Sequence, residues 1–450
     1  MGKVFLAFLG TNDYLPCNYQ YEGLGTIENV RFIQEAIIQL FCQDWTSEDK
    51  ALIFLTPDAR LKNWQDDGHF RNNVQLKREG LKRRLEKLNL PLKVIDIDIP
   101  IGKSESEIWE IFEAIFKNIQ ENDEVIFDIT HAFRSIPMLA IIALNYARIL
   151  KSIKILGVFY GAFEALGNFR QAAQIPLKDR TAPILNLTSF IGLFEWTNVL
   201  NYFLNSGDAS LILEKTKEDT QPILKETKGK HESASNIKKF CNKLNYLTEL
   251  IRTCRGYALI TYDFNELRQY LQKNQGSIIR PLNPLLEKIS VKLKDFKTNS
   301  ISNGYNAVKW CIDHNLIQQG FTLLQETLIS ELVARFFSED QILKKNKRRI
   351  ITQALIIKAK STPKEKWQIP LDIENKEEWE NNIQRILSEI SPELTTLYSQ
   401  ITEYRNDMNH AGFRENALVP KKFRESLIES YNQLTKLRIK MKQNPLTLDH

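Results

Sequence analysis

The sequence predicts an α/β domain, with a parallel sheet covered by helices on both faces, followed by an all-α region. Three observations lead to this prediction. Short apolar segments alternate with helix-like segments up to about residue 182, and only helical periodicity continues beyond that point. The chain of 450 residues is also too long for one ordinary core, so two or three domains are expected.

The predicted strands share one composition. Each is a short, nearly continuous run of Val, Ile, Leu and Phe, which is typical of strands buried on both faces of a parallel sheet. The connections between such strands are expected to be right-handed crossovers. The strands are predicted at 3–9, 51–56, 92–99, 123–130 and 153–161.

The predicted helices are recognised by apolar residues three and four apart. Between the strands they occupy 30–41, 73–89, 106–120 and 137–150. Beyond residue 182 they occupy 188–204, 236–260, 283–296, 306–337 (as one helix or as two broken near Gly320), 347–360, 377–390, 392–412 and 421–442. The segment 214–235 is charged and poor in apolar residues, so a mobile loop is predicted there.

Composition excludes several classes of protein. The hydrophobic content of 43% and the charged content of 26% are typical of a globular protein. The sequence lacks an apolar run of about 18–20 residues, so no membrane span is expected. The apolar N-terminal stretch is predicted to be a first strand rather than a signal peptide. The five cysteines and six histidines are scattered, which favours reduced thiols in the cytoplasm and predicts no metal site.

The positive charge is concentrated in the middle of the chain. The net charge is +6, and Lys and Arg outnumber Asp and Glu between residues 214 and 297. Two interpretations remain open at this stage. The segment is either a solvated, Lys-rich helical surface or a patch that faces a polyanion.

Two polar loops follow predicted strands, at 10–14 (GTNDY) and 128–138 (DITHAFRSIPM). Ligands of open α/β sheets bind at the carboxyl ends of strands where the chain order reverses. Gly10 allows close approach of a ligand to the backbone, and Arg134 can pair with a phosphate. Neutral donors and acceptors are available on Thr11, Asn12, Thr130 and Ser135. The alternative interpretation is a pair of well-capped strand–helix turns.

A second polar cluster lies in 403–413 (EYRNDMNHAGF). On a helix, Arg405, Asn409, Asn406 and His410 fall at roughly 0°, 40°, 100° and 140° and form one polar arc. The apolar residues Leu397, Ile401, Tyr404, Met408 and Ala411 form a stripe on the opposite side, and Gly412 is expected to follow the helix end.

The polar arc has the groups that RNA cleavage without a metal needs. Imidazole can move the protons when the 2′-hydroxyl attacks the adjacent phosphate, and guanidinium can stabilise the developing charge. The products are a 2′,3′-cyclic phosphate and a 5′-hydroxyl. An Arg and a His at this spacing are common, so a solvated surface helix is the alternative interpretation.

Taken together, these motifs resemble the CRISPR-associated CARF–HEPN ribonucleases, accessory effectors of type III CRISPR systems. The resemblance rests on GTNDY, DITHAFRSIPM, RNDMNH and the segment 307–329. It implies a Rossmann-like CARF domain at 1–182, a helical connector at 183–300 and a HEPN ribonuclease domain at 301–450. It covers nearly the whole chain and is weakest in 183–300.

The resemblance also implies roles for residues. The CARF domain is expected to form a homodimer, or a higher oligomer of dimers, and to bind a cyclic oligoadenylate, with cyclic tetra-adenylate expected. Arg405 and His410 are expected to be catalytic with Asn406 in support, on single-stranded RNA and without a metal. The residues that match the ligand pocket are Thr11, Asn12, Thr130, His131, Arg134 and Ser135, beside Gly10. Where this family often has a small, glycine-like residue after Thr-His, the sequence has Ala132.

Two other functions remain compatible with these residues. The first is a ligand-sensing regulator that binds nucleic acid through the basic middle region without cleaving it. The second is a ribonuclease whose CARF pocket also degrades its own activator, with Thr130 and His131 placed for that chemistry.

Overall fold

The computed structural model describes residues 2–131, 135–273 and 283–443. The chain divides into two compact units, residues 1–193 and 194–450. Each unit has its own buried core. The sequence analysis expected three segments instead, and the difference lies in 183–300, which is divided between the two units.

The first unit contains the strands. They are β1 (Lys3–Leu9), β2 (Cys17–Tyr21), β3 (Gly25–Val30), β4 (Lys50–Leu55), β5 (His69–Arg71), β6 (Val74–Leu76), β7 (Lys93–Asp98), β8 (Glu124–Asp128), β9 (Lys154–Gly161) and β10 (Thr181–Asn186). Within the described residues, eight of them form one sheet in the order β3-β2-β10-β9-β8-β1-β4-β7, and β5 pairs with β6 separately. The five strands from β9 to β7 are parallel.

Helices cover both faces of this sheet. They are α1 (Ile33–Phe41), α2 (Pro57–Ala59, continued by a π-helical turn to Trp64), α3 (Leu81–Lys87), α4 (Glu105–Asn118), α5 (Ser135–Lys151) and α6 (Phe169–Gln174). The apolar residues of α1 and α3 pack on one face of the sheet. Those of α4 and α5 pack on the other. The predicted α/β fold class is therefore confirmed, and all five predicted strands are present.

The sheet differs from the prediction at one edge, where it is mixed rather than parallel. Strand β10 runs antiparallel to β9, and β2 and β3 form an antiparallel hairpin beside it. Their sequences, CNYQY and GTIENV, lack the apolar run of a central strand, because β3 is mostly exposed and β2 buries the polar residue Asn18 between Cys17 and Tyr19. Strand β10 also extends past residue 182, where the strand signal was expected to stop.

The predicted helix at 73–89 is also wrong in its first half. Residues 74–76 form strand β6, and α3 begins only after Gly80. A Cβ atom at Gly80 would lie 2.3 Å from the carbonyl oxygen of Trp64, so only glycine allows the chain to pass there. This close approach depends on a residue 16 positions away, which local periodicity does not reveal.

The second unit is helical in its described residues. Its helices are α7 (Thr188–Ser206, which begins in the first unit), α8 (Ser210–Glu226), α9 (Glu232–Arg252), α10 (Gly256–Ile260), α11 (Phe264–Lys273), α12 (Asn283–Leu293), α13 (Ser302–Asp313), α14 (Ile317–Phe336), α15 (Lys345–Ala359), α16 (Lys376–Glu389), α17 (Pro392–Asn409) and α18 (Pro420–Gln443). Helix α14 is central and packs against α13, α15, α17 and α18.

The mobile loop predicted at 214–235 is wrong, because most of it belongs to α8 and α9. Ile212, Thr216 and Thr220 are spaced four apart and all face the core. Two of these three residues are threonines, which count as polar, so a search for apolar periodicity does not detect the buried stripe. The side chains of α8 and α9 join those of the C-terminal helices in one core, so these two helices of the predicted connector belong to the second unit.

The predicted helix at 306–337 is two helices, and they are broken at 314–316 rather than at Gly320. Gly320 lies inside α14. A Cβ atom there would lie 2.5 Å from Leu427 of α18, so glycine serves close helix packing at this position instead of ending a helix. No helix in the described part of the chain is long and apolar enough to cross a membrane.

Candidate functional site

The loops that follow β1 and β8 leave the sheet side by side. The two strands are parallel neighbours, with Ala7 opposite Asp128. The chain order reverses between them, since β4 and β7 lie beyond β1 while β9 lies beyond β8. A cavity of about 250 Å³ opens at this edge. Its lining residues are Phe8, Leu9, Gly10, Thr11, Asn12, Tyr14, Phe54, Thr56, Ile99, Thr130 and His131.

Five of the seven predicted ligand residues therefore line one cavity: Gly10, Thr11, Asn12, Thr130 and His131. Arg134 lies outside the described residues, as does Ala132. Helix α5 begins at Ser135, whose side chain is also outside the description. The structure thus brings together the two loops that the sequence separates by more than a hundred residues.

Thr130 is already held by the protein. Its hydroxyl donates a hydrogen bond to Asp128 at 2.6 Å and accepts one from the Gly161 amide at 2.8 Å. These bonds join the loop to the ends of β8 and β9. A ligand that bound this hydroxyl would have to compete with them, so the Thr130 side chain acts first in positioning the loop.

The described lining of the cavity carries no Lys or Arg. Burial lowers the pKa of His131 to about 4, so its imidazole is neutral near pH 7. Burial also raises the pKa of Tyr14, whose ring centroid lies 4.3 Å from that of His131. The cavity consequently offers ring surfaces, hydroxyls and amides rather than fixed charge.

In the second unit, the predicted polar arc lies at the end of α17. The Ser391 side chain caps the start of this helix, and Leu397 and Ile401 are buried in the core. The helix ends at Asn409, and His410 is the first residue beyond it. Asn406, Asn409 and His410 are exposed, as the arc requires.

Arg405 differs from the other members of the arc, because its side chain reaches into the protein. The guanidinium donates a hydrogen bond from Nη1 to Oε1 of Gln325, at 2.7 Å. Gln325 is buried on α14 and donates in turn to the Thr402 hydroxyl at 2.8 Å. The buried Nε of Arg405 has no hydrogen-bond partner among the described residues. Gln325 therefore sets the position of the arginine, and only the structure reveals this.

The turn after α17 is fixed by Asp407, which the sequence analysis did not single out. This carboxylate is buried and accepts a hydrogen bond from the Leu418 amide at 3.0 Å. Arg414 lies 3.8 Å from its other oxygen. Ala411 was predicted on the apolar stripe but lies beyond the helix end, exposed and with a φ of 52°. Gly412 follows with a φ of 70°, so the helix ends close to where it was predicted to end.

A comparison with known families finds a match within the first unit. Residues 4–164 match the family profile described as "CRISPR system endoribonuclease Csx1, CARF domain". Over these residues the N-terminal unit is similar to the CARF domain of that family. The profile match ends at residue 164, so α17 lies outside it.

The chain is also similar in part to a curated CRISPR-associated protein. CRISPR-associated protein MJ1674 of Methanocaldococcus jannaschii is 26% identical to this chain over 274 residues. The alignment covers 58% of this chain and 39% of the relative, so the chain spans less than half of the relative's length.

Next to the CARF pocket, a buried asparagine holds the first loop, residues 10–14, by hydrogen bonds. The Nδ2 atom of Asn63 donates to the carbonyl oxygens of Gly10 at 2.9 Å and Asn12 at 2.8 Å. Its Oδ1 atom lies 2.9 Å from Nε2 of His69. Arg31 continues this layer by pairing with Asp13 at 3.0 Å and by donating to the Tyr14 carbonyl. The signal missed in the sequence is weak, because Asn63 lies in a separate turn 51 residues after Asn12.

Asp128 supports the second loop through hydrogen bonds. It is fully buried and accepts hydrogen bonds from Thr130 and from Nε2 of Gln34. Burial nevertheless raises its pKa to about 7. The CARF loop thus rests on a carboxyl group that titrates near neutral pH. In the described residues, no group of three or more His, Cys, Asp or Glu is arranged to hold a metal ion.

Proposed function

We propose that this protein is a metal-independent endoribonuclease for single-stranded RNA, activated by a cyclic oligoadenylate in type III CRISPR defence. The observation that carries the proposal is a CARF domain in one chain with a helix end that presents Asn406 and His410 beside an oriented Arg405. We propose cyclic tetra-adenylate as the activator and the cytoplasm as the location.

The chemistry of the CARF cavity supports an adenylate ligand. Adenine is planar and polar at its edge, and the cavity supplies the rings of Tyr14 and His131 together with the side chains of Thr11 and Asn12. Phosphates need donors as well. The backbone amides of the loops can supply these, and we assign the cationic contact to Arg134.

An exposed apolar stripe on α5 supports a homodimer. Met138, Ile142 and Ile149 lie within about 40° of one another on this helix, and all three are more than half exposed. Tyr146 lies beside them and packs on Phe112 of α4. A contiguous apolar patch of this kind marks an interaction surface, and a two-fold dimer buries the same patch on both copies.

The proposed reaction uses the polar arc of α17. The 2′-hydroxyl of the RNA attacks the adjacent phosphorus, the bond from phosphorus to the 5′-oxygen breaks, and a 2′,3′-cyclic phosphate forms. The imidazole of His410 moves a proton from the 2′-hydroxyl or to the leaving 5′-oxygen. Arg405, held by Gln325, stabilises the charge on the phosphoryl oxygens, and Asn406 orients the phosphate. In the proposed dimer, a second copy of α17 completes the site.

The decisive experiment measures cleavage of labelled single-stranded RNA in EDTA, with and without cyclic tetra-adenylate and cyclic hexa-adenylate. Wild-type protein is expected to cleave only with activator and to leave 2′,3′-cyclic phosphate ends. His410→Ala is expected to lower the rate by about 100-fold or more, as loss of a general acid–base group does. Equal, ligand-independent cleavage by both proteins would refute the proposal. Stable RNA complexes without cleavage under any ligand would favour a binding regulator.

A further inference from the structure

A basic groove in the second unit has no role in the chemistry described so far. It lies between α15 and the segment 360–370 and has a volume of about 720 Å³. We propose that this groove binds the substrate strand, holding single-stranded RNA by its phosphates and by stacking one base on Trp367. This inference rests on the proposed ribonuclease function and adds a binding site outside the reacting residues.

Charge is the first argument for RNA. Five cationic side chains line the groove and only one carboxylate does, that of Glu326. Arg348 pairs with Glu326 at 2.6 Å, and Arg349 pairs with Asp372 at 2.7 Å. The other three cations are Lys345, Lys360 and Lys366, and they form no ion pair with any described residue. All three are exposed, so they are free to meet phosphates.

The position of these cations on α15 is the second argument. Lys345, Lys347, Arg348 and Arg349 all lie in the first turn and a half of the helix, where the macrodipole is positive and disfavours cations. That turn has no acidic residue. Lys347, Arg348 and Arg349 are paired with carboxylates of the chain, which leaves Lys345 without an ion pair among the described residues. A phosphate bound beside Lys345 would compensate its charge at the positive end of the helix.

Hydrogen bonds within the protein also fix the shape of the groove without a ligand. The Gln353 side chain of α15 donates to the Gln368 carbonyl at 2.9 Å, which fixes the segment 360–370 to the helix. The Trp367 indole donates to the Thr362 carbonyl at 3.1 Å, and the residue packs against the core while staying partly exposed. A held aromatic ring beside free lysines is the usual platform for an unpaired base and its backbone. Duplex RNA keeps its bases stacked inside and cannot use this ring.

The groove and the proposed catalytic arginine both contact helix α14. Gln325 of α14 holds Arg405, and the next residue, Glu326, lines the groove and holds Arg348. Neighbouring residues of α14 therefore support both sites. A strand bound in the groove lies against the same helix that positions the catalytic arginine.

The test measures RNA binding in the His410→Ala background, so that cleavage does not interfere. Fluorescence anisotropy with labelled single-stranded RNA compares the parent with the triple variant Lys345→Glu, Lys360→Glu and Lys366→Glu. We expect the affinity to fall tenfold or more and the salt dependence to weaken by about 2 in the slope of log K against log salt. The melting temperature is not expected to fall, because Lys345→Glu places an acid at a helix start.

Two matched variants sharpen the result. Replacing the same three lysines by arginine keeps the charge and is expected to keep the affinity. The triple variant Lys225→Glu, Lys228→Glu and Lys230→Glu changes the charge equally in the basic middle region and is expected to bind as the parent does. Unchanged affinity in the groove variant, an equal loss in the middle-region variant, or equal affinity for duplex RNA would overturn the inference.

The experiment also separates this inference from the proposed function. If wild-type protein never cleaves RNA but the groove variant loses RNA binding, the ribonuclease proposal fails and the groove assignment stands. If activated cleavage occurs and the groove variant binds and cleaves normally, the groove assignment fails and the ribonuclease proposal stands.

Discussion

At the scale of single residues, Arg405 is held by a glutamine that lies 80 positions earlier in the chain. Gln325 is buried, accepts from the guanidinium and donates to Thr402. A guanidinium that lost this acceptor would take several positions instead of one. Since misplacement by about 1 Å can lower a rate 100-fold, the effect of Gln325 on catalysis is testable.

We predict that Gln325→Ala lowers kcat for RNA cleavage by about 10- to 100-fold and leaves KM nearly unchanged, because Gln325 positions a group and does not bind RNA. Gln325→Glu keeps an acceptor for Arg405 and is expected to restore most of the rate. Gln319→Ala is the matched control on the same helix, since Gln319 bonds only weakly to the Arg252 carbonyl at 3.5 Å. A larger effect on KM than on kcat would contradict the positioning role.

The buried carboxyl of Asp128 makes stability depend on pH. Its pKa rises from 3.8 in the unfolded chain to about 7 in the fold, so the folded state holds the proton more tightly. The free energy of unfolding therefore falls as pH rises from about 4 to about 7, by roughly 1.4 kcal/mol per pH unit from this group. Above pH 7 its contribution is constant.

We predict that Asp128→Asn removes this dependence. Between pH 5 and pH 7.5, the melting temperature of the wild type is expected to fall relative to that of the variant. Asp66→Asn is the control, because the Gly80 amide lowers the pKa of Asp66 and its titration lies below this window. Parallel melting curves for wild type and Asp128→Asn would show that Asp128 is ionised in the fold throughout.

At the scale of elements, the amphipathic pattern of α5 has two apolar sides. Ala140, Ala143, Leu144 and Ala147 pack on the sheet, while Met138, Ile142 and Ile149 are exposed. A helix that is apolar nearly all round is expected to be buried, so we expect another surface to cover the exposed side of α5. A second copy of the CARF domain is the partner that we propose.

We predict that Ile142→Glu converts the proposed dimer to monomer, because a charge in the middle of the stripe would be desolvated without a counter-charge on pairing. Light scattering after gel filtration measures the mass, and activated RNA cleavage is expected to fall with it. Leu24→Glu is the control. Leu24 is also an exposed apolar residue, at 55%, but it lies in the β2–β3 turn and not on α5. A dimer that persists in Ile142→Glu would move the interface away from α5.

For the whole molecule, the proposed activation requires coupling between the CARF cavity and the polar arc of α17. A ligand that bound the resting and active arrangements equally well would not activate the protein. Binding couplings are reciprocal, so RNA must strengthen activator binding by the same factor as the activator strengthens RNA binding.

We predict that cleavage-deficient His410→Ala binds cyclic tetra-adenylate more tightly when saturated with single-stranded RNA, by about 5- to 150-fold, which is the usual range of such couplings. Calorimetry with and without RNA measures the two dissociation constants. The groove variant, with its three lysines replaced by glutamate, is the control and is expected to lose the effect of RNA. Identical constants with and without RNA would confine regulation to a step after binding.

Much of the fold and part of the candidate site were predictable from the sequence. The central strands can be recognised in the sequence because burial on both faces requires continuous apolar runs, as in β1 and β4. The two polar loops and the α17 arc were predictable because each is local in the chain. Strand β3 was missed because most of it is exposed. Strand β2 and helix α8 were missed because they bury polar residues, an asparagine in β2 and threonines in α8.

The sequence by itself indicated the candidate residues: the loops at 10–14 and 128–138, and Arg405, Asn406 and His410 at the end of one helix. Only the tertiary structure decided what holds them. Asn63 fastens the first loop, Asp128 supports the second, and Gln325 orients the arginine. Each of these contacts except that of Asp128 joins residues more than fifty positions apart. Such pairings depend on how buried elements pack, which leaves no repeating pattern along the chain.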